Sequence, residues 1–358
     1  MTSIANILIG SDAFYNKEDY QIAMKKEFSS DKLQPTVYKY NSKSKVPQFD
    51  SDLISQIHKI MHLVYEFFHF LIGKFILRSS SPNIIGITKK FLDLQRNQIP
   101  EDNAWLYKRV TIEVDDFKID TIILGKRENF GNGRWVLASN GNGEFYELLL
   151  RKKNHDFKQI IDKVHGSGIV FNYPGVSKSE GSAHQETLAK VYLAMLAFLE
   201  YIAAKEIIGY GNSIGGVVQG YALENYDLKT WIKYVFVKRG TFSDLKTIIS
   251  YLFATPVGIL ADKFGWNMGS KNSSRNLKVP EIIIQTAYVN EYQVLNDIQK
   301  ILPSDDVIPR ETTLAYDLLS DPLCDKSNKL FIGVPEHHND EISNAQYLAE
   351  AIVQRLNS

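Results

Sequence analysis

Residues 206–224, EIIGYGNSIGGVVQGYALE, constrain the fold of this chain more than any other stretch. A short β-type apolar run, 206–210, meets a helical run, 214–224, across Gly211-Asn212-Ser213-Ile214-Gly215. To pass from strand to helix in so few residues the backbone must turn sharply, and small residues on both sides of the turn let it do so without clashes. Such a turn lifts the Ser213 hydroxyl above the C-terminal edge of a sheet. A bare Gly-x-Ser-x-Gly arises by chance in roughly one chain in ten of this length, so its force comes from the strand before it and the helix after it. A glycine-rich turn cradling phosphate is the competing reading, but the glycine spacing of a dinucleotide-binding turn is absent. Ser213 is therefore the candidate nucleophile, and Gly211 and Gly215 are the glycines that shape its turn.

The surrounding texture suits such an elbow. Beyond Trp105, short β-rich runs alternate with helical ones. Strands are predicted over 109–114 and 117–124, joined as a hairpin at Asp115-Asp116, then over 134–139, 168–172, 231–238, 281–286 and 329–334. Helical patterns fall at 144–164, 183–204 and 341–356. Strands alternating with helices imply right-handed crossovers and a mostly parallel, doubly wound sheet. Some forty residues separate the strands at 231–238 and 281–286, with an apolar run at 248–260 and Trp266 between them. That is long for a plain crossover, so an inserted cap is expected at 239–278.

Residues 1–105 read as a separate helical N-terminal region, with 106–358 as the main domain. Helical patterns occur at 16–28 and 52–77, with a Lys/Ser-rich stretch at 39–45. The apolar run 57–77 is interrupted by His58, Lys59, His62, Glu66, His69 and Lys74, which form one polar stripe at helical spacing. A helix packed on the main domain is the plain reading; the sharper one is an interfacial helix in peripheral membrane contact. His58 and His62 have the spacing of helical metal ligands, but no third ligand accompanies them, so no metal is expected.

Lys+Arg and Asp+Glu both number 41, giving a formal charge of zero and removing the electrostatic argument for nucleic acid. The single cysteine, Cys324, excludes an intramolecular disulfide and a cysteine-based zinc site. The first ten residues lack the basic segment of a secretory signal, which points to the cytoplasm.

A serine hydroxyl needs a base to act as a nucleophile at neutral pH. Where an elbow serves, serine, acid and histidine follow in that order along the chain. Of eight histidines only His337 and His338 lie beyond Ser213, between the last strand and the last helix. Asp297, Asp305, Asp306, Asp317 and Asp321 qualify as the acid by order, and Asp305-Asp306-Val307-Ile308-Pro309 is the most suggestive because its proline would fix the loop. Two N–H groups would have to meet the developing oxyanion: that of Ile214, at the start of the helix, and that of Asn142, in the turn Asn140-Gly141-Asn142-Gly143.

These residues resemble the α/β-hydrolase superfamily over about 106–358. Asn140-Gly141-Asn142 is similar to the His-Gly-Asn oxyanion loop of a membrane-associated branch, with Asn140 in place of His. Residues 173–181, YPGVSKSEG, are similar to the Tyr-Arg-Gly-Tyr-Gly-x-Ser-x-Gly turn after the next strand. Asp305-x-Val307-Ile308-Pro309 matches an Asp-x-Val-Val-Pro acid turn, and the match implies Asp305 rather than Asp306. His338-Asn339-Asp340 matches a Gly-His-Asn-Asp turn and implies His338 as the base, with His337 replacing the glycine. In layout the chain also resembles hydrolases of intracellular bacteria, the chlamydial CHLPS-type proteins and SidB-related Legionella effectors, which implies delivery into a host cell.

The expectation is thus an α/β-hydrolase fold with an inserted cap and a helical N-terminal region. It would cleave an ester or thioester through Ser213, His338 and Asp305, without cofactor or metal, on a small-molecule or lipid acyl substrate. The alternative is a hydrolase-fold protein without catalysis that binds a membrane or a partner.

Overall fold

The computed structural model describes residues 36–40, 73, 77, 87–99, 104–152 and 155–358. Ten strands of these residues share one sheet. They are β1 (Thr36–Tyr40), β2 (Trp105–Val114), β3 (Phe117–Lys126), β4 (Arg134–Ser139), β5 (Ser167–Phe171), β6 (Glu206–Asn212), β7 (Lys233–Arg239), β8 (Glu281–Thr286), β9 (Gln293–Val294) and β10 (Lys329–Val334). Their spatial order is β1-β2-β3-β5-β4-β6-β7-β8-β10-β9. From β5 through β10 every neighbouring pair is parallel, while β3 pairs antiparallel with both β2 and β5, and β9 runs antiparallel along the outer side of β10. This is the mostly parallel, doubly wound arrangement expected from the alternating pattern.

Helices cover both faces, which is why the central strands are apolar throughout rather than alternating with polar residues. One face packs under α4 (Gln185–Tyr201) and α5 (Ile214–Leu223), with Trp135, Leu137, Ile207 and Phe236 pointing towards them. The other packs under α3 (Asp156–Lys163) and α10 (Ala345–Leu356), with Val136, Ile208, Val235 and Val237. The strict exchange of neighbours such as Ile207 and Ile208 between the two cores is the period of two of a strand.

The helical run expected over 144–164 is two helices, α2 (Tyr146–Leu149) and α3. Arg151-Lys152-Lys153-Asn154 interrupts the apolar periodicity, and the His155 side chain restarts the helix by accepting the Phe157 N–H. The N-terminal region, expected to be helical, contributes β1 to the sheet edge: Val37, Tyr38 and Tyr40 suit a strand, and β2 offers an open edge. Between β1 and β2 lies α1 (Lys89–Asn97), joined to the sheet by Arg96, which donates to Tyr146 and pairs with Asp120 and Glu147. The helical patterns at 16–28 and 52–77, with the His58/His62 pair, lie outside the described residues apart from Gly73 and Leu77.

The segment between β7 and β8 forms α6 (Leu245–Leu252), α7 (Thr255–Lys263) and α8 (Lys271–Asn276). Leu245, Ile248 and Ile249 are buried, as is Trp266, while Tyr251, Leu260 and several apolar neighbours at the α6–α7 tip face solvent. Before β10, α9 (Leu314–Ser320) buries Leu314, Ala315 and Leu318 in a smaller cluster with Ile283 and Phe331. Among the described residues no helix is long and apolar enough to cross a membrane. None of their His, Cys, Asp and Glu side chains gather in a group of three or more fit to hold a metal ion.

Candidate active site

Ser213 stands between β6 and α5 with φ 54° and ψ −121°, a backbone conformation that L-residues rarely adopt. It is held there from two sides. The Ser213 N–H donates to the Arg239 carbonyl at the end of β7, and the Ser213 carbonyl accepts the Gly216 N–H. The two glycines of the elbow are sterically required. A Cβ on Gly215 would sit 2.0 Å from the Ser139 carbonyl oxygen, and one on Gly211 would sit 2.6 Å from the Gly216 Cα. Gly215 thus lets α5 start directly against the end of β4.

Two histidines and two aspartates meet across the loops that follow β9 and β10. His338 Nδ1 lies 2.9 Å from Asp305 Oδ2, both side chains nearly sealed from solvent. Asp305 Oδ1 accepts the Val307 and Ile308 N–H groups at 3.1 and 2.6 Å, so the carboxylate is gripped by its own loop. The neighbouring pair, His337 and Asp306, also comes within 3.0 Å but at the surface. Of the other aspartates that qualified by chain order, Asp297 caps a short turn, Asp317 pairs with Lys271 and Asp321 with Arg275. None of these three touches a histidine among the contacts described.

Gly240, just past β7 at φ 51°, forms the floor under the Asp305–His338 pair: a Cβ there would lie 3.1 Å from His338 Nδ1. Sequence pattern does not single out Gly240; a glycine immediately after a parallel strand is its one available signal. Nor does pattern single out Glu144 and Asn212, whose side chains are linked at 3.1 Å.

The turn at 140–143 departs from the expected His-Gly-Asn at its first residue, and the structure shows what Asn140 does instead. Its Nδ2 donates to the Phe171 carbonyl, and its own carbonyl accepts the Tyr173 hydroxyl. Asn140 is thereby a buried anchor that ties the turn to β5 and to the turn beginning at Tyr173. Asn142, two residues on, is exposed at the cavity rim.

Ser213, Ile214, Asn142 and His338 line one cavity of about 500 Å³. Phe242, Leu245, Ile248, Ile249, Leu252 and Phe253 from the β7–β8 segment make an apolar wall, and Lys152, His155, Asp156, Arg239 and Glu341 a polar one. On the polar side Arg239 pairs with the buried Asp156, and Lys152 reaches Glu341. Burial pushes the His155 imidazole down to about 4, so it is neutral at physiological pH. No hydrogen bond joins Ser213 Oγ to His338 among the described residues; such contacts often close only when substrate displaces solvent.

The sheet order, the helices on both faces and the strained serine between β6 and α5 define an α/β-hydrolase fold. Among solved structures, the chain resembles an α/β hydrolase from Vibrio vulnificus, with TM-score 0.53 and 14% identity over 88% of this chain and 98% of that one. It also resembles an esterase from Pyrococcus furiosus, with TM-score 0.50 and 15% identity over 72% and 96% of the two chains. The chain belongs to the Chlamydia CHLPS protein family (DUF818), whose model matches residues 70–357. No curated protein matches it at significant similarity.

Proposed function

We propose that the chain is a serine hydrolase that cleaves a carboxylic ester or thioester. The observation that carries this reading is the strained Ser213 on the wall of a cavity it shares with His338, whose Nδ1 is held by the buried Asp305. Ser213 Oγ attacks the carbonyl carbon while His338 Nε2 takes its proton, and Asp305 keeps the ring in the tautomer that leaves Nε2 free to accept. The N–H groups of Ile214 and Asn142 receive the oxyanion. The intermediate collapses, His338 protonates the departing alcohol or thiol, and an acyl group remains on Ser213. Water, deprotonated by His338, then attacks the acyl carbonyl and releases the acid. No step needs a metal or cofactor.

The apolar wall from the β7–β8 segment supports an acyl chain as the part of the substrate held there. A fluorophosphonate probe tests the reading: labelling of the native protein that disappears in Ser213→Ala supports it, and folded native protein that takes no label sinks it. The second reading, a non-catalytic module that docks on a membrane or partner, draws its support from the exposed Tyr251, Leu252, Phe253 and Leu260 at the α6–α7 tip. Unlabelled but folded protein that sediments with liposomes would favour that reading.

A further inference from the structure

The carboxyl group of Glu144 touches both segments that would build the oxyanion site. One oxygen accepts the Gly141 N–H, and the other accepts Asn212 Nδ2 at 3.1 Å. Gly141 immediately precedes Asn142, and Asn212 immediately precedes Ser213 and Ile214. These segments leave different strands, β4 and β6, so the spacing of their N–H groups has to be fixed across the gap between two loops. We propose that Glu144 is a positioning residue that locks the β4 turn to the serine elbow and so holds the Asn142 and Ile214 N–H groups at a constant separation. The proposal rests on the reading of Ser213 as nucleophile.

The need for such a lock is physical. Oxyanion donors are effective because they are already aimed before charge develops, within a few tenths of an ångström of hydrogen-bonding distance. Asn140 anchors the start of this turn, whereas beyond it Asn142 is exposed and Gly143 has φ 82°. Gly141 leaves the space that Glu144 uses, since a Cβ there would lie 3.0 Å from the Glu144 carboxylate oxygen and 3.1 Å from Asn212 Nδ2.

The bridge works through hydrogen bonds rather than charge. A full negative charge beside a forming oxyanion would oppose it. Burial pushes the Glu144 carboxyl up from the ordinary carboxylate range; the Gly141 and Asn212 donors and the nearby Arg239 and His338 counter this, and Lys152 lies close enough to feel its charge. Glutamine has the same shape without the charge. Its carbonyl oxygen would accept from Gly141, and, with the Asn212 amide turned over, its amide would donate to Asn212 Oδ1, a buried atom with no hydrogen-bond partner among the described residues.

The experiment compares native protein, Glu144→Gln, Glu144→Ala and Asn212→Ala in steady-state turnover of a p-nitrophenyl ester and in the rate of fluorophosphonate labelling. Glu144→Ala should lower kcat ~10- to 100-fold with KM within about threefold, because the donors are lost to the transition state more than to the bound ester. Glu144→Gln should stay within about threefold of native in kcat. Asn212→Ala, which cuts one arm of the bridge and survives should Glu144→Ala fail to fold, should lower kcat ~5-fold at unchanged KM. Native kcat in Glu144→Ala overturns the proposal, and so does a Glu144→Gln protein as impaired as Glu144→Ala. Native protein that neither turns over ester nor labels would instead sink the reading of Ser213 itself.

Discussion

His338 and Asp305 are joined twice: Nδ1 of the ring lies 2.9 Å from Oδ2 of the carboxylate, and the His338 N–H donates to the Asp305 carbonyl at 3.0 Å. The main-chain bond fixes the two loops to one another, so the side chains meet without either loop having to find the other. The two segments leave β8 and β10 side by side, at Thr286 and Val334, with β9 and a short turn intervening before Asp305.

Asp305 and Asp306 are neighbours with opposite expected roles. Asp305→Asn should lower ester turnover ~10³- to 10⁴-fold, since the amide can hold the ring in the wrong tautomer, as it does when the triad aspartate of a serine protease is replaced in the same way. Asp306→Asn removes only a surface pair and should leave turnover within about twofold. Parallel assays of the two variants decide it, and equal losses would move the acid's role away from Asp305.

Gly240→Ala should act through His338. The new methyl group would press on the ring nitrogen that faces Asp305, at a position where φ 51° already disfavours any other residue. A loss of turnover of at least ~10-fold is expected, with destabilisation on the order of 1–2 kcal/mol. Retained turnover in a folded Gly240→Ala protein would show that the loop yields.

The conformation of Ser213 predicts an inverse relation between stability and activity. Ser213→Ala removes the hydroxyl but keeps the Cβ in the strained region. Ser213→Gly removes both and should be more stable than Ser213→Ala by about 1 kcal/mol, once glycine's greater unfolded freedom is subtracted from the relieved strain. Denaturant melts of the two inactive proteins measure the difference.

His155 predicts a pH effect on stability. Its folded value of about 4 lies below the ordinary 6.5, so between these values the unfolded chain binds the proton more readily, and stability falls as pH falls through 6.5 towards 4. At pH 5 the loss is roughly 2 kcal/mol relative to pH 8. His155→Asn, which can still accept the Phe157 N–H, should lose this share of the acid sensitivity. Urea melts of native and variant protein at pH 8 and pH 5 give the comparison.

Local pattern made most of the fold legible. The strands at 134–139, 281–286 and 329–334 have the bounds expected of them, because each is an apolar run between clear turns. Harder to read were elements whose reason is tertiary. β9 is two residues long and exists because β10 offers it an edge; β1 depends likewise on β2. β9 and a short turn at Ile298–Lys300 occupy the long path from β8 to Asp305. At the site, chain order narrowed the base to two histidines, and the contacts now distinguish a buried Asp305–His338 pair from an exposed Asp306–His337 pair. Glu144 and Gly240 could not be read, since their significance lies in residues brought to them by other strands.

The same short β9 has a consequence for how the molecules meet one another. A parallel sheet that ended on β10 would present a bare row of amides and carbonyls, a template on which another chain could add a strand. β9 pairs with Ile332 and Gly333, and the Leu295 N–H takes the Phe331 carbonyl, so this rim is blunted by the chain itself. At the opposite rim the long β2 is covered by five residues of β1. Growth by strand addition is thus discouraged at the rim that β10 would otherwise leave open.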